Sequence, residues 1–235
     1  MVSFRGTADD YVRFRPQYPP ALIERLVRAA GVGARARVLD LGSGPGHVAV
    51  PLAAHVAEVV AVDPEPEMLA RIEAPNVRTV LGRAEDVDET WGTFDLVTAG
   101  RSFHWFDQAV VLRRLPRVTR RLALIGDSIR QSEAASRALD VAVELIGEER
   151  VSASRPSYVE LLASSPFADV ERIEVEVERT WTADSLIGLV YSTSYAARLG
   201  GRRSELERRL RALFDRPEYP ERVTVSAVLG RSRDE

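Results

Sequence analysis

The chain has 235 residues, 45% of them apolar, and its 32 basic and 35 acidic side chains leave a formal net charge of -3. That is enough apolar material for one α/β domain, and so balanced a surface argues against the phosphate backbone of nucleic acid as a partner. Neither cysteine nor lysine occurs, which excludes disulfides, thiol nucleophiles, cysteine-held zinc and iron–sulfur clusters, and equally a P-loop lysine or a Schiff base.

No apolar run approaches the roughly 18 residues of a membrane span, and the opening MVSFRGTADDYVRFRP lacks the apolar centre of a secretion signal. A cytoplasmic protein without a membrane partner is expected. Residues 10–20, DYVRFRPQYPP, crowd Tyr11, Phe14 and Tyr18 with Arg13 and Arg15, a composition suited to a lid or a carboxylate clamp and equally to an arm packed on the surface. Next, PPALIERLVRAAG spaces Leu22, Ile23, Leu26, Val27 and Ala30 along one helical stripe closed by Gly31.

The runs 37–41, 58–62, 77–81, 94–99 and 122–127 are short and rich in Val, Leu and Ile, as for strands buried on both faces. Between them, 46–56, 64–73, 84–90 and 107–115 can form helices, with a shifted boundary or kink expected at Pro51. Such alternation predicts a parallel sheet with right-handed crossovers. Further on, 132–146 and 155–164 read as helices. VERIEVEVERTW alternates Ile173, Val175 and Val177 with Glu174, Glu176 and Glu178, a strand with one wet face. The arginine-rich helix 202–214 and a strand at 222–230 follow, the latter free to run antiparallel. The expectation is an α/β fold, a doubly wound, seven-stranded, mostly parallel sheet with helical insertions in a single domain. Residues 1–36 would form a lid and first helix and 37–127 the core. A helical substrate cap would come from 128–168 and 180–214, and the last strands from 169–179 and 222–230.

The most specific stretch is VLDLGSGPGHV (38–48), a strand entering a glycine-rich turn. Small residues there let backbone approach a ligand at a helix N-terminus. A dinucleotide fingerprint counted from Gly42 would need its third glycine at His47, and fails by one place. Asp40 before the glycines would repel a pyrophosphate but attract a ligand carrying ammonium and sulfonium groups, such as S-adenosylmethionine. Asp63 ends the next strand, where a carboxylate can accept ribose hydroxyls of either NAD or S-adenosylmethionine. His47 and His55, eight apart, have no carboxylate at ligand spacing, so no metal site is expected.

These stretches resemble the class I S-adenosylmethionine-dependent methyltransferases, in particular the small-molecule branch of quinone-biosynthesis and trans-aconitate methyltransferases. The resemblance covers about residues 9–127. The family's acidic-x-G-x-G-x-G pattern is matched by Asp40, Gly42, Gly44 and Gly46, with Ser43 inside it. VAVDPEPEML resembles the second motif, implying Asp63 at the ribose, with Pro64 beside it, and Met68 against adenine. GRAEDV (82–87) resembles the third, implying Ala84 and Glu85 at the adenine edge, although Arg83 stands where aspartate is common; the lesser alternative for Glu85 is a partner of the helix dipole. AGRSFHWFD resembles the stretch after the fourth strand, implying that backbone near Gly100 meets the methionine portion. The Pro-Gly-Gly turn usual before the fifth strand is absent.

His104 lies just beyond that strand, at the sheet edge where ligands bind. It can act as the base that removes an acceptor proton or pack with Trp105 as a wall. Arg101 can bind an acidic substrate or pair with Asp107. Tyr191 and Tyr195, spaced i, i+4, can share one helical face in a substrate ceiling or serve packing alone. The function expected is methyl transfer from S-adenosylmethionine to a small molecule. The alternatives are an NAD(P)-dependent oxidoreductase and a non-catalytic S-adenosylmethionine-binding protein of the same fold. The acceptor and the oligomeric state do not follow from these residues.

Overall fold

The computed structural model describes residues 6–126, 128–148 and 157–232. In chain order the main elements are α1 (Ala8–Phe14), α2 (Pro20–Ala30), β1 (Arg37–Leu41), α3 (Ala49–Ala53), β2 (Glu58–Asp63), α4 (Pro66–Leu69) and β3 (Val77–Leu81). There follow β4 (Leu96–Gly100), α5 (Gln108–Arg114), β5 (Arg121–Ile125), α6 (Glu133–Leu145), α7 (Tyr158–Ala163) and β6 (Asp169–Trp181). The last are α8 (Ala183–Tyr191), α9 (Ala196–Leu199), α10 (Arg203–Leu213) and β7 (Tyr219–Arg231).

The strands form one seven-stranded sheet in the order β3-β2-β1-β4-β5-β7-β6. The first five neighbours run parallel, and β7 returns antiparallel beside β5 with Leu122 opposite Gly230 and Ile125 opposite Ala227. The order reverses between β1 and β4, which places both strand ends at the topological switch point where ligands bind in open α/β sheets. Four of the early strands are buried almost throughout, as continuous apolar runs require. β3 departs from that expectation: Arg78, Thr79 and Leu81 are exposed because β3 is the edge of the sheet.

α2 forms as its stripe predicts. Pro20 sits in the first turn, where its missing N–H costs nothing, and Gly31 closes the helix at φ 64°. Other helices are shorter than the sequence suggests. The segment 46–56 yields only α3, because left-handed glycines hold 42–46 in a turn; Pro51 then falls within the first helical turn and is tolerated. Residues 64–73 yield only α4. Residues 84–90 become two single 3-10 turns, Ala84–Asp86 and Glu89–Trp91, since the Asp88 carboxylate accepts the Thr90 N–H at 2.9 Å and closes its own turn. Position 127 of the expected strand 122–127, and 155 and 156 of the expected helix 155–164, lie outside the described residues.

The chain divides into two compact units. One is drawn from residues 18–126, 157–175 and 225–232; its core includes Leu39, Val60, Val97, Phe103, Leu122 and Phe167. The other is drawn from 6–17, 128–148 and 176–224 and centres on Ala138, Leu186, Leu189, Leu206, Leu210 and Phe214. In this second unit α1 lies on α8, where the Phe14 ring rests against Gly188 so closely that any Cβ there would enter it. Serine and threonine caps delimit its helices: Ser132 accepts the Ala135 N–H ahead of α6, and Thr182 the Ser185 N–H ahead of α8. Among the described residues no helix is long and apolar enough to cross a membrane.

Candidate functional site

β1 delivers Asp40 and Leu41 to the switch point, and the chain then turns through Gly42, Ser43, Gly44, Pro45 and Gly46. All three glycines have positive φ, 61°, 54° and 87°, a region that side chains with a Cβ disfavour. Two are also pressed by neighbours. A Cβ on Gly42 would lie 2.5 Å from Ser102 Cβ, and one on Gly46 2.9 Å from Val50. Gly44 has no atom within 4 Å of such a Cβ, so conformation alone requires glycine there. The turn is tied to its neighbours by three bonds: the Gly44 N–H donates to Asp63 Oδ2 at 2.8 Å, the Ser43 N–H to the Val62 carbonyl at 3.0 Å, and the Ser102 hydroxyl to the Leu41 carbonyl at 2.8 Å.

Two carboxylates flank this turn. Asp63 accepts the Glu65 N–H on Oδ1 at 2.9 Å as well as Gly44 on Oδ2, which leaves each oxygen a further lone pair for a ligand hydroxyl. Burial pushes its pKa up, and these two N–H donors oppose the shift. Asp40 is fully buried. Its Oδ1 accepts the Thr98 hydroxyl at 2.6 Å, whereas Oδ2 has no hydrogen-bond partner, as is true of the buried Ser43 Oγ. Desolvation, with a smaller contribution from the charge of Asp63, pushes Asp40 up to about 7 against the pull of Thr98 and the Ala49 N–H.

Beyond Asp63, Pro64 is exposed, while Met68 on α4 and Ala84 after β3 are buried. Glu85 is engaged structurally. Its Oε1 accepts the Asp107 N–H at 2.8 Å and its Oε2 pairs with Arg83 at 3.3 Å. Burial raises its pKa, but the Asp107 N–H and Arg83 outweigh this and hold it below the usual range. Arg83 thus has a defined role where the family pattern would place aspartate. Asp107 caps α5 by accepting the Val110 N–H at 3.1 Å.

At the end of β4 a Cβ on Gly100 would meet Val48 at 2.5 Å and the Tyr18 hydroxyl at 3.1 Å. Tyr18 is buried beneath it. The next residue, Arg101, is the one described non-glycine with positive φ, 57°, a conformation that costs about 1–3 kcal/mol and persists only where surroundings hold it. Tyr18 supplies part of that hold: Arg101 Nε donates to its hydroxyl at 2.9 Å, and the guanidinium carbon stands 4.4 Å from its ring centroid. Phe103 anchors the following 3-10 turn in the core. His104 is half-buried, with its ring centroid 4.7 Å from that of Trp105, and Trp105 is 44% exposed.

Gly42, Ser43, Gly44, Gly46 and Asp63 are therefore joined by the turn and its bonds, Asp40 sits on the strand that leads into it, and Ser102 links the turn to the group formed by Gly100, Arg101 and Tyr18. Tyr11, Arg15, Tyr191 and Tyr195 belong to the other compact unit. There Arg15 stacks over Tyr11 at 5.2 Å. Tyr191 donates to Glu207 Oε1 at 2.8 Å, and burial with that carboxylate pushes its hydroxyl up to about 12. Tyr191 and Tyr195 do not share a helical face as expected. α8 ends at Tyr191 and Tyr195 caps α9, because the Ser192 and Thr193 hydroxyls take the Leu189 and Val190 carbonyls, each at 2.6 Å, and interrupt the helix. Thr98 and Ser102 were not singled out from the sequence. Thr98 carried a signal, since a hydroxyl in the middle of a strand buried on both faces must find a partner.

A buried carboxylate with an open acceptor position draws a cation, and a second with lone pairs to spare accepts hydroxyls. The comparisons with known proteins agree with that chemistry. Residues 38–123 match the family described as methyltransferase domain. An uncharacterized methyltransferase of Mycobacterium tuberculosis is 35% identical over 199 residues, which span 83% of this chain and 77% of that one. Among solved structures, a candidate type II methyltransferase from Anaeromyxobacter dehalogenans has 26% identity and a TM-score of 0.56, over 93% of this chain and 98% of that chain. A methyltransferase from Thiobacillus denitrificans, solved with S-adenosyl-L-homocysteine, has a TM-score of 0.56 over 99% of this chain and 100% of that chain; at 16% identity it speaks for the fold. A relative this similar along most of both chains, the matched domain and the shared fold place the protein in its family: the chain belongs to the class I S-adenosylmethionine-dependent methyltransferases.

Proposed function

We propose that the protein methylates a small organic acceptor in the cytoplasm, with no nucleic acid or membrane partner. The observation that carries the reading is Asp40, fully buried, whose Oδ2 has no hydrogen-bond partner, together with the buried and likewise unsatisfied Ser43 hydroxyl of the following turn. Buried polar atoms are rarely left so. The carboxylate suits a cationic group of the donor, and the hydroxyl can donate to its carboxylate. Asp40, Ser43 and the Gly42–Gly46 backbone would hold the methionine portion together with Gly100. Asp63 would accept the ribose hydroxyls, and Pro64, Met68, Ala84 and Glu85 would border the adenine.

Bound S-adenosylmethionine supplies a methyl group on positively charged sulfur, already activated for in-line displacement. The chain's own contribution is orientation. Arg101, clamped by Tyr18, and the exposed Trp105 would border the acceptor beyond the end of β4, and His104, its ring against Trp105, would take a proton from an acceptor hydroxyl, amine or acidic carbon. Composition supports a small acceptor: a net charge of -3 offers no basic field for a polyanion.

Isothermal calorimetry with S-adenosylmethionine, S-adenosylhomocysteine and NADH tests the cofactor side. The first two should bind and the third should not; tighter binding of NADH would overturn the reading. Release of S-adenosylhomocysteine over a panel of small phenols, amines and carboxylic acids, set against RNA and DNA, tests the acceptor class.

A further inference from the structure

Asp40 and Thr98 are register partners on the adjacent parallel strands β1 and β4. Both side chains are completely buried, and the Thr98 hydroxyl donates to Asp40 Oδ1 at 2.6 Å. A hydroxyl has one proton to give, and here it goes to the carboxylate, so one oxygen is fixed while Oδ2 keeps no hydrogen-bond partner. We propose that Thr98 is a positioning residue of the cofactor site: its hydroxyl pins Oδ1 of Asp40 and so turns Oδ2 toward the cationic end of the methyl donor. The inference rests on the cofactor reading above.

A carboxylate rotates about its last side-chain bond at little cost. Without Thr98, the buried group would lose both its orientation and its strongest donor, and its charge would be harder to hold away from water. Among the described residues, three elements act on Asp40. β2 contributes Asp63, a like charge; α3 contributes the Ala49 N–H; β4 contributes Thr98. The other titratable group of the turn is the buried His47. Thr98 is thus the side-chain donor that offsets burial and the charge of Asp63.

The test compares the wild type with Thr98→Val, which keeps the shape and removes the donor, and Thr98→Ser, which keeps the donor. Carboxyl carbon NMR of the protein without ligand should show Asp40 titrating higher in Thr98→Val by about one pH unit or more, with Thr98→Ser near wild type. Affinity for S-adenosylmethionine should then fall about tenfold or more near pH 7 in Thr98→Val, recover only in part in alkaline buffer because ionisation returns and orientation does not, and stay near wild type in Thr98→Ser; full alkaline recovery would overturn the positioning role. Should Thr98→Val not fold, Thr98→Cys, a weak donor of similar size, should shift Asp40 in the same direction. An Asp40 titration unchanged by removal of the hydroxyl, or a Thr98→Ser protein as impaired as Thr98→Val, would overturn the proposal. A wild-type protein that binds neither S-adenosylmethionine nor S-adenosylhomocysteine would overturn the cofactor reading instead, and the NMR titration separates the two failures.

Discussion

Burying the Asp40 carboxylate beside Asp63 destabilises the folded protein wherever that carboxylate is ionised. Its pKa rises from 3.8 to about 7 on folding, so the folded state holds the proton more tightly than the unfolded chain. The penalty is absent below about pH 4, grows as pH rises to about 7, and is constant above, where it amounts to a few kcal/mol in order of magnitude. Asp40→Asn should therefore raise the calorimetric unfolding midpoint at pH 8, with the gain shrinking toward pH 5. The same substitution should weaken S-adenosylmethionine binding by about tenfold or more. In the wild type, affinity should fall as pH drops below about 7, by up to about tenfold per pH unit, because the cation needs the ionised form. A midpoint at pH 8 that does not rise in Asp40→Asn would contradict this account. His104 is tested by truncation: a general base implies that His104→Ala lowers turnover by about 10² with cofactor affinity intact. Near-normal turnover would leave it a wall beside Trp105.

Among the elements, the turn between β1 and α3 shows how conformation and packing can be separated by substitution. Gly42 and Gly44 both need left-handed backbone, but only Gly42 is also pressed by Ser102. Gly44→Ala should lose about 1–2 kcal/mol in denaturant unfolding, the left-handed penalty alone. Gly42→Ala should lose a further 1–3 kcal/mol or so, because Ser102 must move and give up its bond to Leu41. Equal losses at the two positions would mean that the turn yields more easily than its contacts suggest. The turn's place was legible, since glycines follow an apolar strand directly; its effect on α3 was not, because the run 46–56 contains good helix formers until the left-handed residues are known. Likewise the break after Tyr191 depends on the Ser192 and Thr193 hydroxyls choosing carbonyls of the preceding turn, a local competition that spacing cannot show.

Across the whole molecule, the parallel strands were readable because each carries its own apolar run, whatever it pairs with. β3 misled for the same reason: Val77 and Val80 suit a buried strand, and only the strand order reveals that it is an edge. The two carboxylates and three glycines of the site were also visible, as they sit next to recognisable strand ends. What escaped were bonds between distant positions, Thr98 to Asp40 across 58 residues and Ser102 to Leu41 across 61. Those depend on which strands become neighbours. The relative of M. tuberculosis extends the family along 83% of the chain.

The Gly44–Asp63 clip joins the loop after one strand to the tip of its neighbour through protein atoms alone. An incoming molecule meets a receptor whose motional freedom has already been surrendered during folding, so little entropy remains to be lost at encounter. Association should then be governed by diffusion and access, and the Gly44 amide should exchange with solvent slowly even in the empty protein.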